Sequence, residues 1–495
     1  MAVGEVRMGT AAGRWVLTTT VLGSGMALID GTVVNVALER IGTELDAGFT
    51  DLQWTVNAYT LTLAALILLG GSLGDHFGRK RVFLIGVVWF ALASLACGLA
   101  PDVGTLIAAR ALQGVGGALL TPGSLALISA SFHGPDRAAA VGAWSGLGGI
   151  AGAVGPFLGG WLVEWSWRAV FLINLPLAAL IIVIAVRHVP ESRDSESAPG
   201  LDISGTVLAV VGLGALTYGL TGLGERGAEP LSLIGVAVGV LALVAFVLVE
   251  RRSPHPLVPP TLFRNRTFTA ANISTVLIYG AMGAVFLLLV LQLQTVAGFT
   301  PLAAGAALLP VTALMLAFSA RAGSLTGRIG PRLPMTVGPL VSAAGLLLLL
   351  RVDATTSWIL DLLPAMLVFG AGLTLTVAPL TATVLDSAPD RYAGAASGVN
   401  NAVARAAGLL AVAVVPGLAG ISGEDYTDPA AFDAGFRTAM VIGAGLLAAA
   451  ALAAFTLIRR PLPAAKTPDR EGIRVEECIH CPMTGPPMHP TGTPR

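Results

Sequence analysis

The chain has 495 residues, 55% hydrophobic and only 12% charged, with a mean hydropathy of +0.79 and a formal net charge of zero. An ordinary globular chain carries roughly 25% charged residues, so half that share excludes a soluble protein and places most of the surface in lipid. The zero balance is silent on partners, because the distribution of charge along the chain is what matters, and no nucleic-acid partner is expected.

In chain order, apolar runs lie near 15–38, 52–72, 82–100, 103–126, 139–163 and 168–187. Two more lie near 203–221 and 231–249, and six others near 268–294, 302–322, 333–350, 358–380, 395–420 and 435–458. Each can cross about 30 Å of hydrocarbon at roughly 1.5 Å per helical residue. The expected fold class is therefore an all-α polytopic membrane protein with 14 spans. An even number of spans puts both termini on one side. The even-numbered connections hold thirteen Lys and Arg, including Arg79, Lys80 and Arg81, and the odd ones only four, Arg40, Arg168, Arg226 and Arg351. Basic residues mark cytoplasmic loops, so both termini and the even loops are expected in the cytoplasm of a cell inner membrane. The first run is too long for a cleavable signal peptide and contains an acid.

Internal repetition supports the same map. Gly71 to Lys80, in the second loop, is echoed 252 positions later by Gly323 to Arg332, and Pro135-Asp136-Arg137 recurs 254 later as Pro389-Asp390-Arg391. Both pairs are eight spans apart, so the halves enter the membrane with the same orientation, as parallel repeats about the membrane normal. The expected organisation is a six-helix bundle over 1–190, a two-helix spacer over 200–252, a second six-helix bundle over 265–460, and a disordered cytoplasmic tail over 461–495.

Asp30 lies deep in the first run, where an acid costs roughly 2.5–3.5 kcal/mol, so its default reading is functional. His76, His133, His188 and His255 fall in even loops and His480 and His489 in the tail, which excludes an intramembrane histidine relay. Glu39, Glu164 and Asp361 sit at helix ends, leaving Asp30 as the deep titratable acid. Low dielectric disfavours the charged form of a carboxyl group, which suits a proton carrier. Helical rise puts Arg110, in the fourth run, at the same depth as Asp30, and Gln113 one turn further on.

These residues resemble the major facilitator superfamily, specifically its fourteen-helix drug:proton antiporters of the EmrB/QacA type. Gly71 to Arg81 is similar to the superfamily's loop signature, Leu28 to Leu38 to the antiporters' first-helix motif, and Arg110 to Gly114 to the fourth-helix motif. Gly155-Pro156 through Gly159-Gly160 resembles the antiporter motif of helix 5, and Trp167 to Pro176 and Leu291 to Pro310 are similarly characteristic. Glu39 stands where the first motif usually continues with Pro, and Ala151 where helix 5 usually has Gly.

The resemblance implies proton-coupled export of a small amphipathic drug by alternating access, without a cofactor, by a protein expected to work as a monomer. Asp30 and Arg110 would carry the coupling, supported by Asn35 and Gln113. Gly71, Asp75, Gly78, Arg79 and Lys80 would form a cytoplasmic latch between the halves. Gly155, Pro156, Gly159 and Gly160 would let helix 5 bend and pack closely as a seal. Deep polar and apolar side chains at Asn57, Asn272, Tyr279, Met282, Gln292, Gln294, Asn401 and Arg405 outline a substrate pocket. The second half has no acid matching Asp30, which favours a neutral or anionic substrate over a dication.

Competing classes fare worse. No phosphate loop and no His-Glu-x-x-His helix is present, so neither an ATP-driven pump nor an intramembrane metalloprotease is expected, and the chain is read as no enzyme. Cys478, His480 and Cys481 form too short and isolated a cluster for a metal site. A nutrient symporter of the same superfamily, or a membrane sensor on its scaffold, are the alternatives. The helix 5 motif opposes the first, and intact Asp30, Arg110 and Asp75 the second.

Overall fold

The computed structural model describes residues 7–193, 202–253, 256–389, 392–423 and 428–458. The tail with its Cys and His residues, and Asp390 and Arg391 of the second echo, lie outside the described residues. All regular structure among the described residues is helical. The first half comprises α1 (Ala11–Leu45), α2 (Phe49–Phe77), α3 (Arg79–Gly98), α4 (Val103–Ser131), α5 (Gly134–Trp165), and a span divided into α6 (Ala169–Leu172) and α7 (Asn174–His188). A hairpin of α8 (Ile203–Arg226) and α9 (Pro230–Arg252) follows. The second half comprises α10 (Arg266–Thr295), α11 (Pro301–Ala306), α12 (Leu309–Ile329), α13 (Arg332–Leu348), α14 (Leu363–Asp386), α15 (Ala393–Leu418) and α16 (Pro429–Leu457). Thirteen spans among the described residues are long and apolar enough to cross a membrane. The 32-residue, glycine-rich α5 occupies the fifth position of the expected fourteen.

Local chemistry sets these boundaries. Thr10, Asp102 and Asp428 accept hydrogen bonds from the first-turn amides of α1, α4 and α16, the usual work of an N-cap. The two divided spans break where proline dictates. Pro176 and Pro310 have no N–H to give the carbonyls four residues back, and those residues, Leu172 and Ala306, are the last of α6 and α11.

The segment Gly71 to Arg81, expected as a loop, is helical except at one residue. α2 runs on to Phe77, Gly78 turns the chain at φ +107°, and Arg79 already begins α3. Glycines 71 and 74 are tolerated inside the helix, and only Gly78 uses the backbone freedom that glycine alone supplies cheaply.

α1 begins and α16 ends at what is called here the terminal face, with the opposite face at the other end of the helices. The two halves meet near the opposite face. There Gln53 Nε2 donates to the Val412 carbonyl at 2.8 Å and Gln294 Nε2 to that of Val36 at 3.2 Å. An apolar core runs through the same level, joining Val33, Val36 and Ala37 of α1 to Leu287, Leu288 and Leu291 of α10. Near the terminal face, a Cβ added at Gly142 of α5 or at Gly327 of α12 would meet nothing within 4 Å. Along the other seam α2 and α15 stay close, with Leu68 beside Gly398. α8 backs that seam from outside, through Ala64, Ala65, Leu213 and Leu409, and α9 packs on α8.

Candidate functional site

The densest buried polar cluster lies inside the first half, where α1, α3, α4 and α7 converge. Asp30, Ser94, Arg110, Gln113 and Asn174 are each at most 1% exposed. Arg110 Nη1 donates to Asp30 Oδ2 at 2.5 Å and to Gln113 Oε1 at 2.6 Å, while its Nε donates to the Thr55 carbonyl of α2 at 3.0 Å. Asp30 Oδ1 accepts from Gln113 Nε2 at 2.7 Å and from Asn174 Nδ2 at 2.9 Å. Both amides also donate to Ser94 Oγ, at 2.7 and 3.2 Å. The Arg110 guanidinium stacks over the Tyr59 ring, its carbon 4.3 Å from the centroid, and the Tyr59 hydroxyl donates to the Ala27 carbonyl.

This assembly follows from helix spacing and backbone breaks. Arg110 and Gln113 are three apart and share a face of α4. Asn174 is the first residue after the proline break, so its amide reaches inward from the start of α7. Gly114 lets α4 approach α2, since a Cβ there would collide with Thr62 Oγ1 and the Tyr59 carbonyl. The pair itself met although α1 extends seven residues past the expected end at 38, which puts Asp30 deeper than the depth arithmetic placed it.

Every polar neighbour of Asp30 is a donor, which suits a carboxylate. Such a buried ion pair is a poor source of stability, because two charges must be desolvated to form it. It is a good switch, because losing either charge strands the other.

The sequence does not mark Asn174 as a partner of Asp30, nor Ser94, Thr55 and Tyr59 as members of its cluster. Asn174 lay within the Trp167 to Pro176 motif, a usable signal. The Thr55 contact is through a carbonyl and has no sequence signature. Asn35 is not part of the cluster: it is half-buried, and its Oδ1 has no partner. Five residues along a helix put it about 140° around from Asp30.

The residues of the expected latch sit together at the terminal face, within the first half. Arg79 holds Asp75 at 2.8 Å across the Gly78 turn. The Arg79 amide donates to the Ser192 carbonyl, and Glu191 accepts from the Lys80 amide at 3.0 Å and pairs with Arg81 at 3.9 Å. Gly71 lies beside Pro122 of α4, and Gly78 beside Glu191. Asp75 and Arg79 make no ion pair to the second half among the described residues.

In α5 the motif faces two ways. Gly155 and Gly159 press on Thr32 and Val33 of α1, whereas Pro156 and Gly160 lie backbone to backbone with Gly305, Pro301 and Leu302 of α11.

The eight expected pocket residues do not form one wall. Asn272 bonds to Asn400, tying α10 to α15. Gln292 donates to Asp433 of α16 at 2.7 Å, and Gln294 belongs to the seam near the opposite face. Asn401 is exposed and bonds back to its own helix at Ser397. Met282 and Tyr279 are half-buried on α10. Arg405 Nε is buried without a partner, and its charge lies close enough to act on Tyr59 and Tyr279. Asn57 is 1% exposed with both amide atoms unpartnered.

Two helical halves meeting near one face, with a buried ion pair inside one of them, define a polytopic membrane transporter. The profile of the Major Facilitator Superfamily matches residues 20–413. The puromycin resistance protein pur8 of Streptomyces alboniger is 36% identical over 462 residues, covering 90% of this chain and 91% of that protein. The multidrug resistance protein Stp of Mycobacterium tuberculosis H37Rv is 37% identical over 391 residues, 78% of this chain and 72% of that one. The tetracenomycin C resistance and export protein of Streptomyces glaucescens is 34% identical over 402 residues, 81% and 74% of the two chains. Among solved structures, a POT family transporter in complex with a thioalcohol-conjugated peptide superposes with a TM-score of 0.68 at 13% identity, over 91% of this chain and 98% of that one. The chain belongs to the major facilitator superfamily, in its drug:proton antiporter family. It is a transport protein and not an enzyme.

Proposed function

We propose that this protein exports a small amphipathic drug or antibiotic across the bacterial cytoplasmic membrane in exchange for protons, with the terminal face in the cytoplasm. The observation that carries the reading is the Asp30–Arg110 pair, sealed from water and bonded only within the first half. A proton arriving at Asp30 cancels its charge and releases Arg110, leaving a guanidinium tied only to Gln113, a backbone carbonyl and a tyrosine face. Release of that proton on the other side restores the pair. Alternating access then needs the seam near the opposite face to open when the pair is broken, and the backbone contact of α5 with α11 is the part that must separate. The relatives named for resistance and export support a drug as cargo, and the bias of basic residues towards even loops supports the sidedness.

The test is accumulation of a fluorescent drug in cells making the wild type, Asp30→Asn or Arg110→Ala, with and without a protonophore. Wild-type export should collapse with the protonophore and be lost in both variants at equal expression. Export that survives the protonophore would remove the coupling, and an active Asp30→Asn would remove its proposed carrier.

A further inference from the structure

A cavity of about 690 Å3 lies between α12 and α14, towards the terminal face. Leu314, Phe318, Arg321, Leu325 and Arg328 line it from α12 at spacings of four and three, one continuous helix face. Ala371, Thr374 and Leu375 line it from α14. No acid lines this space. Both guanidiniums lack a carboxylate among the described residues. Arg321 makes only a 3.4 Å bond to the Ala317 carbonyl of its own helix and lies 5.7 Å from the Phe318 ring centroid. Arg328, two turns nearer the terminal face, is exposed and unpaired. An arginine inside a span normally faces a bundle interior or watery cavity and finds a partner there. Here two exposed arginines share one wall with leucines and a phenylalanine, and neither has an acidic partner among the described residues.

We infer that this cavity is a binding site for an amphipathic organic anion, whose anionic head is held by Arg321 or Arg328 in turn while its apolar body lies against Leu314, Phe318 and Leu325. The fit is chemical: planar guanidiniums take carboxylate, sulfonate or phosphate oxygens in pairs, and the apolar stripe excludes a small inorganic ion as the best occupant. Two turns of helix separate the arginines by about 10 Å, enough to receive an anion at one and pass it to the other. Export would make this the loading site for cargo, a role that rests on the proposed function, whereas the binding itself does not. The same chemistry is offered by a free organic anion and by an anionic lipid.

The experiment uses the full chain in nanodiscs and a matched pair of probes, 8-anilino-1-naphthalenesulfonate and uncharged N-phenyl-1-naphthylamine, titrated by fluorescence above protein-free discs. In discs of phosphatidylcholine the wild type should bind the sulfonate about tenfold more tightly than the amine. Arg321→Gln with Arg328→Gln should abolish that preference without altering the amine's affinity, and Arg321→Lys with Arg328→Lys should restore most of it. Equal affinities in the wild type, or a preference that survives the double Gln variant, would overturn the inference. Discs with a fifth of phosphatidylglycerol separate the sources: loss of sulfonate binding there identifies the lipid headgroup as occupant, and unchanged binding a free anion. None of these readouts depends on protons, so failure of the proposed coupling would leave them standing.

Discussion

Removing Arg110 should cost far more than its own bonds suggest. Arg110→Gln takes from Asp30 its only charged partner, leaving a carboxylate of 0% side-chain exposure with neutral amide donors alone. Breaking one side of a buried pair typically costs about 3–5 kcal/mol, most of it the penalty of the stranded charge. Asp30→Asn strands Arg110 in the same way. The double variant Asp30→Asn with Arg110→Gln strands nothing, because two amides can bond to each other and to Gln113, Asn174 and Ser94. We therefore predict that the double variant is more stable than the sum of the two single costs by at least about 2 kcal/mol, the coupling expected of residues in one network. Reversible chemical unfolding in mixed micelles, followed by circular dichroism, gives the four stabilities of the cycle. Single costs that add to within about 0.5 kcal/mol would refute the reasoning, since independent sites behave that way.

Three further outcomes follow from particular contacts. Gly160→Leu should force α5 from Pro301 and Leu302 and favour separation at the opposite face, read as faster thiol labelling of a cysteine placed at Val36 and a loss of export. Asn57→Leu removes two unpartnered buried polar atoms, so thermal stability should hold or rise while drug affinity falls; a destabilised variant would show that the amide has a hidden structural partner. Asp102 caps α4, and hydrogen bonds from the backbone and side chain of Thr105 hold its pKa below the ordinary 3.8. Its contribution is fully present above the unfolded pKa and lost as pH falls through the lowered folded one. The melting difference between wild type and Asp102→Ala should therefore be constant near neutrality and shrink on acidification below that range.

Much of this was legible because lipid imposes strong rules on sequence. Fourteen apolar runs, the parallel repeat and the meeting of Asp30 with Arg110 follow from hydrocarbon thickness, helical rise and the expense of burying charge. What could not be read depends on rotation and on backbone. Asn35 shares a motif with Asp30 but not a face. Thr55 contributes a carbonyl, which every residue has. Gln292 reads in the sequence as a pocket amide, and Asp433 lies just outside the last apolar run at 435–458; the fold sets the two opposite each other. Arg321 lies inside the apolar run 302–322 and Arg328 in the echo of the loop motif, so their spacing alone does not join them. The structure shows that they line one cavity with Phe318 and that no acid among the described residues neutralises them.

The distribution of charge between the halves carries a mechanical consequence. In the first half the one deep arginine is fully occupied by Asp30, Gln113 and Thr55, while Arg405, Arg321 and Arg328 in the second half have no acid among the described residues. Tyr59 stands between the two systems: its ring supports Arg110, its hydroxyl binds α1 at Ala27, and the charge of Arg405 acts on it from α15. A proton at Asp30 would change the net charge of the pair beside that tyrosine from zero to positive, within reach of the charge of Arg405. Like charges brought together this way repel, and the repulsion is strongest where water is excluded. It would act across the α2–α15 seam, where Leu68 lies beside Gly398. An anionic cargo lodged beside Arg405 would cancel that repulsion.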